Sequence, residues 1–411
     1  MDNASVLLKE HNMIVNRETA NRNHVKLSSY ILIIFIVLLP ISTALAGIIG
    51  SISLLNYISL AYIIWSIIEI IFGRYMRISK TYWAIYAYMG YTLLSCIWNI
   101  YFSFNYYFTT FATSFVLFVF LTCRTYSQKE AELLRKSFLA SCIVVVGVTA
   151  LNVNHTYAGR IVIRITSTMD PNDFGCGTCI IFASLLNEFS KKRGMLSAIG
   201  LICILVTVIL TGSRGALLMC IMELIVWVSI YGKRGKRKIA ILGVLAFLAV
   251  YLFVTSLSNE LLSRFSVSRV LSSGGTGRRG IWIAGINKYL NSNVFHMIFG
   301  YGHGSFPRAV NYYGGSRTYP YEAHNMFVNA LIEGGVLGLS FLVIAIKQCV
   351  KTAYANKNYM GVIALLGFVV TGLTLDVQSY RIFPIAFFTA VFFENNSYYP
   401  TTTTEMKHES L

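Results

Sequence analysis

The sequence predicts an all-α polytopic membrane protein, with about twelve transmembrane helices and one long, partly helical external loop. Three observations predict it. Of the 411 residues, 55% are hydrophobic and only 12% are charged, a balance that excludes an ordinary soluble enzyme. Apolar runs of about 18 residues or more, each long enough to cross about 30 Å of hydrocarbon, recur from Tyr30 to the last Phe-rich stretch. Basic residues gather in alternate loops between those runs.

Taken in order, the runs place helices near 29–49, 52–73, 83–101, 105–123 and 137–153, then 174–189, 196–212, 215–231 and 238–257, and last 324–347, 358–375 and 381–396. The tight turn at Thr211–Gly215 leaves the division between the seventh and eighth open. An even number of spans puts both termini on one side. The clusters Arg74/Arg77/Lys80, Arg124/Lys129/Arg135/Lys136, Lys191/Lys192/Arg193, Lys233/Arg234/Lys236/Arg237/Lys238 and Lys347/Lys351/Lys357 fall on that side as well. The positive-inside rule makes it the cytoplasm.

The chain then divides into a cytoplasmic N-terminal segment (1–28), nine helices (29–257), an external cap (258–323), three helices (324–396) and a cytoplasmic tail (397–411). Residues 1–28 are polar and the first apolar run lacks a small-residue cleavage site, so it reads as a retained helix. The tail after Pro400 is expected to be disordered. Gly, Ser and Arg in 258–323 suit a small folded cap, in which Ile281, Trp282, Ile286 and Tyr289 have helical spacing and predict a short surface helix over Gly280–Leu290.

The net charge of +17 would suggest nucleic acid in a soluble chain. In a membrane protein it reports orientation, and no nucleic-acid partner is expected. Most of the eight cysteines lie in or beside apolar runs (Cys96, Cys142, Cys203, Cys220), and no Cys/His set has metal-ligand spacing. Neither a metal nor a disulfide framework is expected.

Sorted by side, the cytoplasmic set has 14 Lys and 9 Arg, and the outer set 10 Arg and one Lys. The outer residues are Arg160, Arg164, Arg214, Arg264, Arg269, Arg278, Arg279, Arg308, Arg317 and Arg381, with Lys288 the exception. Lys would serve orientation or solubility equally well; Arg differs in its fixed, permanently charged fork, which pairs bidentately with phosphate oxygens. Each Arg could instead pair with a carboxylate or cap a helix, but the outer side offers only Asp170, Asp173, Glu260, Glu322 and Asp376. An excess of about six cations beside a bilayer suits a phosphate or pyrophosphate lipid.

Thr211-Gly212-Ser213-Arg214-Gly215 joins two apolar runs at the outer surface, its glycines permitting a sharp turn around one Arg. The alternative is a plain interhelical turn with a snorkelling Arg. Gly300-Tyr301-Gly302-His303-Gly304-Ser305 follows no βαβ pattern, so it reads as a compact turn in the cap or as anion-binding amides. His324, in Tyr321-Glu322-Ala323-His324-Asn325, enters a helix at the surface that carries the arginines. It can exchange a proton near neutral pH, or be no more than a hydrogen-bonded interfacial His.

Behind it, Asn325, Asn329 and Glu333 recur every four residues, a polar stripe that must look into protein or a wet cavity. Glu333, beside Gly334 and Gly335, can equally brace helix packing. Glu69 and Glu223 lie in apolar runs toward the cytoplasmic half and take a structural or protonated role. Asp170-Pro171-Asn172-Asp173 could orient an external Arg, as could Asp376 near Arg381; His155 and His303 have less to support them.

TGSRGALL at mid-chain, Arg278 four residues before Trp282, GYGHGSF, AHNMFVNALIEGGVLGL, DPN at 170–172 and Asp376…Arg381-x-x-Pro384 together resemble the O-antigen ligase and polymerase family. The resemblance covers mainly 165–385, and the first five runs match only in hydrophobic character and number. It implies a GT-C-like, metal-independent glycosyltransferase of the bacterial inner membrane, using no cofactor and acting at the outer face. The implied partners are an undecaprenyl-pyrophosphate-linked oligosaccharide, a glycan acceptor (lipid-linked repeat or lipid A core), membrane lipids and a chain-length regulator.

Carried over by motif, Arg214 and Arg278 hold the pyrophosphate, with Arg279, Arg381 and Arg160 as further pyrophosphate-binding residues. His324 is the implied catalytic base, and Asp376, Asn325 and Glu333 support the site. The doubled Arg278–Arg279 leaves the register open, the spacing to Trp282 favouring Arg278.

Two activities share these motifs. A polymerase extends one lipid-linked repeat with another, whereas a ligase moves the finished glycan to the lipid A core. AHNMF with EGGVLGL, after GYGHGSF, inclines the reading toward a repeat-unit polymerase. A flippase or secondary transporter also has about twelve helices, but such proteins place their sites near the midplane and show repeated halves. Here the polar residues concentrate at the outer edge and no internal repeat is visible.

Overall fold

The computed structural model describes residues 25–47, 53–72, 82–101, 112–124, 126–157, 159–192, 194–232, 278–313, 320–377 and 381–392. The expected helix at 238–257, the cap up to residue 277 with Arg264 and Arg269, Arg317, and the basic clusters at 74–80 and 233–238 lie outside the described residues.

Helices dominate. The first five are α1 (Leu27–Leu38), α2 (Leu54–Ile71), α3 (Trp83–Leu94), α4 (Thr113–Cys123) and α5 (Gln128–Leu151). After them come α6 (Pro171–Gly177), α7 (Cys179–Lys192), α8 (Met195–Leu210) and α9 (Arg214–Tyr231). The cap contributes α10 (Arg278–Leu290), α11 (Val294–Phe299) and α12 (Phe306–Val310), and the chain closes with α13 (Met326–Ala355), α14 (Tyr359–Gly372) and α15 (Ile382–Phe392). The short helix expected over 280–290 is therefore present as α10.

Among the described residues, α2, α5, α9 and α13 are long and apolar enough to cross a membrane, while Leu27–Ile41, α4, α8, α14 and α15 are apolar but only 10–17 residues long. Twelve full-length spans are thus not seen among the described residues: the run expected at 238–257 and part of that at 105–123 lie outside them, and other apolar runs are broken locally. Pro40, in a 3-10 turn over Leu39–Ile41, ends α1, and Thr178 separates α6 from α7. In the other direction α5 starts at Gln128, well before the expected 137. Ser127 and Glu130 form a capping box, Glu130 N–H donating to Ser127 Oγ (3.2 Å) and Ser127 N–H to Glu130 Oε2 (2.7 Å), which draws Lys129, Arg135 and Lys136 from loop into helix.

The all-α expectation also needs a small correction. Thr156–Tyr157 (β1) pairs antiparallel with Arg160–Ile161 (β2), and Ile163–Arg164 (β3) with Thr168–Met169 (β4). The β-branched run Ile161-Val162-Ile163 suits a pleated, half-buried surface, and all three of its residues are buried.

The core is built around α14, which packs against α7, α9, α13 and α15. Every residue of α15 is buried, with Phe383, Phe387 and Phe388 at its centre. Lipid gives such helices no hydrophobic reason to associate, so close packing and interhelical polar bonds must hold them. Asn358 supplies both: its Oδ1 caps α14 through Gly361 N–H (3.1 Å), and its Nδ2 donates to the Thr389 and Ala390 carbonyls of α15 (2.9 and 2.7 Å).

A second joint ties α1, α2 and α5. Arg124 Nη2 lies 2.8 Å from Glu130 Oε1 and its Nε 3.6 Å from Glu69 Oε2, while Ser29 Oγ donates to Glu130 (2.7 Å) and Ser28 Oγ to Glu69 (2.8 Å). Burial disfavours the Arg124 charge, but Tyr62, Tyr126, Glu130 and Glu69 outweigh it and hold the guanidinium above its ordinary value. Glu69 thus has a structural place. Glu223, fully buried in α9, accepts from Cys179 Sγ of α7 (3.0 Å).

Replacing Arg124 by Met strands two buried carboxylates, which should cost about 3–5 kcal/mol. Thermal unfolding of the purified protein in detergent should show a clearly lowered Tm, and an unchanged Tm would contradict this account of the joint.

Candidate functional site

The TGSRG segment is a turn into α9. Thr211 Oγ1 accepts from Ser213 N–H (3.2 Å), Ser213 Oγ accepts from Ala216 N–H (3.4 Å), and Arg214 becomes the first helical residue. Gly215 has a reason to be glycine: a Cβ there would lie 2.1 Å from Thr374 Oγ1. The Arg214 turn and the 373–377 segment, which carries Asp376, are therefore in contact.

The DPN element packs on the other flank of the same turn, α6 touching α9. Asp170 caps α6 by accepting from Asn172 N–H (2.7 Å). Asn172 orients the Arg: Arg160 Nη2 donates to Asn172 Oδ1 (2.9 Å) and Arg160 Nε to the Thr211 carbonyl (2.7 Å). Arg160 thereby clamps TGSRG to DPN.

His324 enters from the opposite direction. Asn325 caps α13, its Oδ1 accepting from Phe327 and Val328 N–H (2.9 and 3.1 Å), and its Nδ2 reaches the Leu373 carbonyl (3.2 Å). One side chain thus joins the start of α13 to the segment that abuts Arg214. Trp282 Nε1 donates to the Ala323 carbonyl (3.0 Å), which fastens α10, with Arg278 and Arg279 in its first turn, to the residue before His324. Arg279 is exposed and Arg278 half-buried. His324 itself is half-buried and held at φ 47°, in the left-handed region that His visits more readily than most residues but still at a cost.

Two turns further along α13, the polar stripe is buried: Asn325, Asn329 and Glu333 are 8%, 2% and 5% exposed, so that face looks into protein. Glu333 is committed to the cap. Its Oε2 lies 3.0 Å from His303 Nδ1, and its Oε1 accepts from Phe306 N–H (3.2 Å). His303 N–H donates to Ser95 Oγ (3.0 Å), and Asn99 Nδ2 donates to the His303 carbonyl (2.6 Å).

GYGHGSF is a compact turn, with Gly300, Gly302 and Gly304 at φ 75°, 92° and 78°. It seats against a break in α13 at Gly335 (φ 63°), where a Cβ would meet the Ile298 carbonyl at 2.3 Å.

Arg381 stands beside α6 in a cleft with Asp173, Ser42 and Thr43. Its Nε and Nη2 both donate to Asn56 Oδ1, which orients it. The structure therefore connects the segments bearing Arg160, Arg214, Asp376, His324 and Asn325. It reaches Arg278 and Arg279 through Trp282, gives Glu333 to His303, and ties Arg381 to α2. Among the described residues no group of three His, Cys, Asp or Glu side chains could hold a metal ion. Asn56, Ser95 and Asn99 lie in apolar runs whose spacing carries no mark of partners 204 to 325 residues away, and His303 lacked any visible pairing in its own motif.

Compared with known proteins, residues 199–343 match the family model described as O-antigen ligase. Over this segment the chain is similar to that family. The O-antigen ligase segment runs from within α8 to beyond the α13 break and contains Arg214, Arg278, Arg279, His324, Asn325 and Glu333. Arg160, Asp376 and Arg381 lie outside it. No curated protein matches the chain. With the apolar helices, the family supports a bacterial inner-membrane, glycosyltransferase-like enzyme working on lipid-linked glycans.

The left-handed backbone at His324 gives a stability prediction. His324→Gly should leave the Tm unchanged or raise it, whereas the β-branched His324→Val should lower it, since strain there is worth about 1–3 kcal/mol. Equal effects of the two substitutions in thermal unfolding would show that the backbone at 324 is unstrained.

Proposed function

We propose that this protein transfers a glycan from undecaprenyl pyrophosphate to the hydroxyl of another lipid-linked repeat unit at the outer face of the cytoplasmic membrane. The observation that carries this reading is the contact chain from the Arg214 turn, through the 373–377 segment, to Asn325 beside His324. It sets a permanently charged hydrogen-bond donor for an anion and a titratable imidazole on adjoining segments.

The chemistry asks for those two groups. The acceptor oxygen attacks the anomeric carbon, the bond from that carbon to the pyrophosphate oxygen breaks, and the bonding pair leaves with the diphosphate. Arg214 and Arg278 stabilise the charge that builds there, as fixed donors do in a water-poor site. His324 takes the proton of the incoming hydroxyl. Arg160 serves by holding the Thr211 carbonyl and so the turn that presents Arg214. Arg279 and Arg381 extend the cationic rim, and Asp376 supports it from the segment packed on Gly215. Asn325 sets the start of α13, and Glu333 holds the cap through His303. The lipid tail enters laterally between helices, and the activated donor supplies the energy.

A ligase reading has one observation in its favour, the description of the matching family model. Purified protein in liposomes with a single lipid-linked repeat unit separates the two. Elongated lipid-linked product identifies a polymerase, and a strict need for lipid A core identifies a ligase. Solute movement without covalent change would overturn both.

Arg214→Lys and His324→Ala are each expected to lower turnover at least about 100-fold in that assay while the protein still inserts into membranes. Near-normal product from both variants would remove the proposed site.

A further inference from the structure

Away from the outer rim, α9, α13 and α14 leave an apolar groove open at the side of the molecule, with a volume of about 770 Å³, within the range of ligand-sized cavities, about 300–1,000 Å³. Val226 and Ile230 of α9, Val343 and Val350 of α13, and Val362 and Leu366 of α14 line it. Lys347, Lys351 and Tyr354 line it as well, and no carboxylate does. Both lysines are exposed, one helical turn apart, and neither makes an ion pair among the described residues. We infer that this groove binds an anionic phospholipid of the inner leaflet, one acyl chain lying in the groove and the phosphate meeting Lys347 and Lys351.

Three observations favour that occupant. The first is charge complementarity: a row of aliphatic side chains ending in two cations matches an acyl chain ending in a phosphate, with the lysine stems against the apolar wall and their heads at the surface. The second is length. From Val343 to Tyr354, the part of the α13 lining that carries both lysines, the helix rise gives about 17 Å, close to half of the roughly 30 Å hydrocarbon core and so to one leaflet. Beyond the Gly335 break, Phe327 of the first turn of α13 lines the groove as well.

The third is the level of the charged end. Tyr354 packs on Tyr359 and Tyr359 on Tyr231 (ring centroids 6.2 and 5.5 Å), an aromatic cluster where α9 and α13 end and α14 begins. Such clusters mark the membrane–water interface, and the positive-inside rule gives this end to the cytoplasm. A polyprenyl diphosphate held at the outer rim would carry its charge at the other end of the groove, away from the lysines.

The test is retention of spin-labelled lipids by the full-length protein in phosphatidylcholine bilayers, with no glycan substrate present. Its outcome is therefore independent of the transfer reaction. Labelled phosphatidylglycerol should be immobilised in preference to labelled phosphatidylcholine. The Lys347→Gln/Lys351→Gln double variant should lose that preference by about fivefold per Lys, and Lys347→Arg/Lys351→Arg should keep it. Val350→Trp, which fills the groove, should release the lipid.

Equal retention of the two labels by the unaltered protein, or a preference that survives in the Gln pair, would overturn the inference. Displacement of phosphatidylglycerol by undecaprenyl phosphate, with the Gln pair without effect, would assign the groove to the carrier lipid instead and overturn it too.

Discussion

Within a bilayer a backbone carbonyl freed from its helix has no water to turn to, and α13 frees several by breaking at Gly335. The segments around the break are arranged to meet that demand. Tyr301 N–H takes the Ile332 carbonyl and Gly302 N–H the Glu333 carbonyl (2.9 Å each), and the Tyr91 hydroxyl sits 2.8 Å from both the Phe299 and Gly334 carbonyls. Those bonds draw the glycine-rich turn onto α13, set His303 against Glu333 and bring Phe306 into a small second core with Ile281, Ala323 and Ile332. The α10 helix then has a surface to rest on, and through Trp282 it steadies the residue before His324.

Two of the arginines that the sequence assigns to the outer side are held by the protein itself. Arg160 spends its described donors on Asn172 and Thr211, and Arg381 on Asn56, so each acts on protein before any ligand arrives. Such fixed guanidinium groups cost no reorganisation when negative charge develops nearby, the property that makes preorganised donors effective. The bias toward Arg over Lys on that side suits both duties, because the same planar fork that grips a phosphate also grips an amide oxygen.

Much of the fold was legible from residue pattern. Ile281, Trp282, Ile286 and Tyr289 announced α10 by their spacing, and Asn325, Asn329 and Glu333 announced a buried polar face, because period and burial are local properties of one segment. The start of α5 was less visible. A capping box lies in Ser127 and Glu130, but the charged residues that follow read as loop when hydropathy alone sets the boundary. The partners of Arg381 and His303 were not legible at all, since each depends on chain segments far apart in sequence meeting in space; the hairpins at 156–169 are local, but strands of two residues are too short to show a period. The doubled glycine at 334–335 was visible, but not that Gly335 takes a positive φ or that the Ile298 and Gly300 backbone leaves no room there for a Cβ.

The bonds from the third helical region to the cap have a temporal side. Tyr91, Ser95 and Asn99 find their partners 204 to 243 residues later in the chain. At about 5–20 residues per second of synthesis, those partners emerge roughly 10–50 s after the region itself. Ser95 keeps the Thr92 carbonyl and Asn99 Oδ1 the Tyr101 N–H meanwhile, but for that interval the Tyr91 hydroxyl and the Asn99 Nδ2 donors turn to interfacial water, to lipid headgroups or to the insertion machinery. Biogenesis of this protein is thus a matter of waiting as well as of insertion, and its earliest segments stay unfinished until nearly the whole chain has been made.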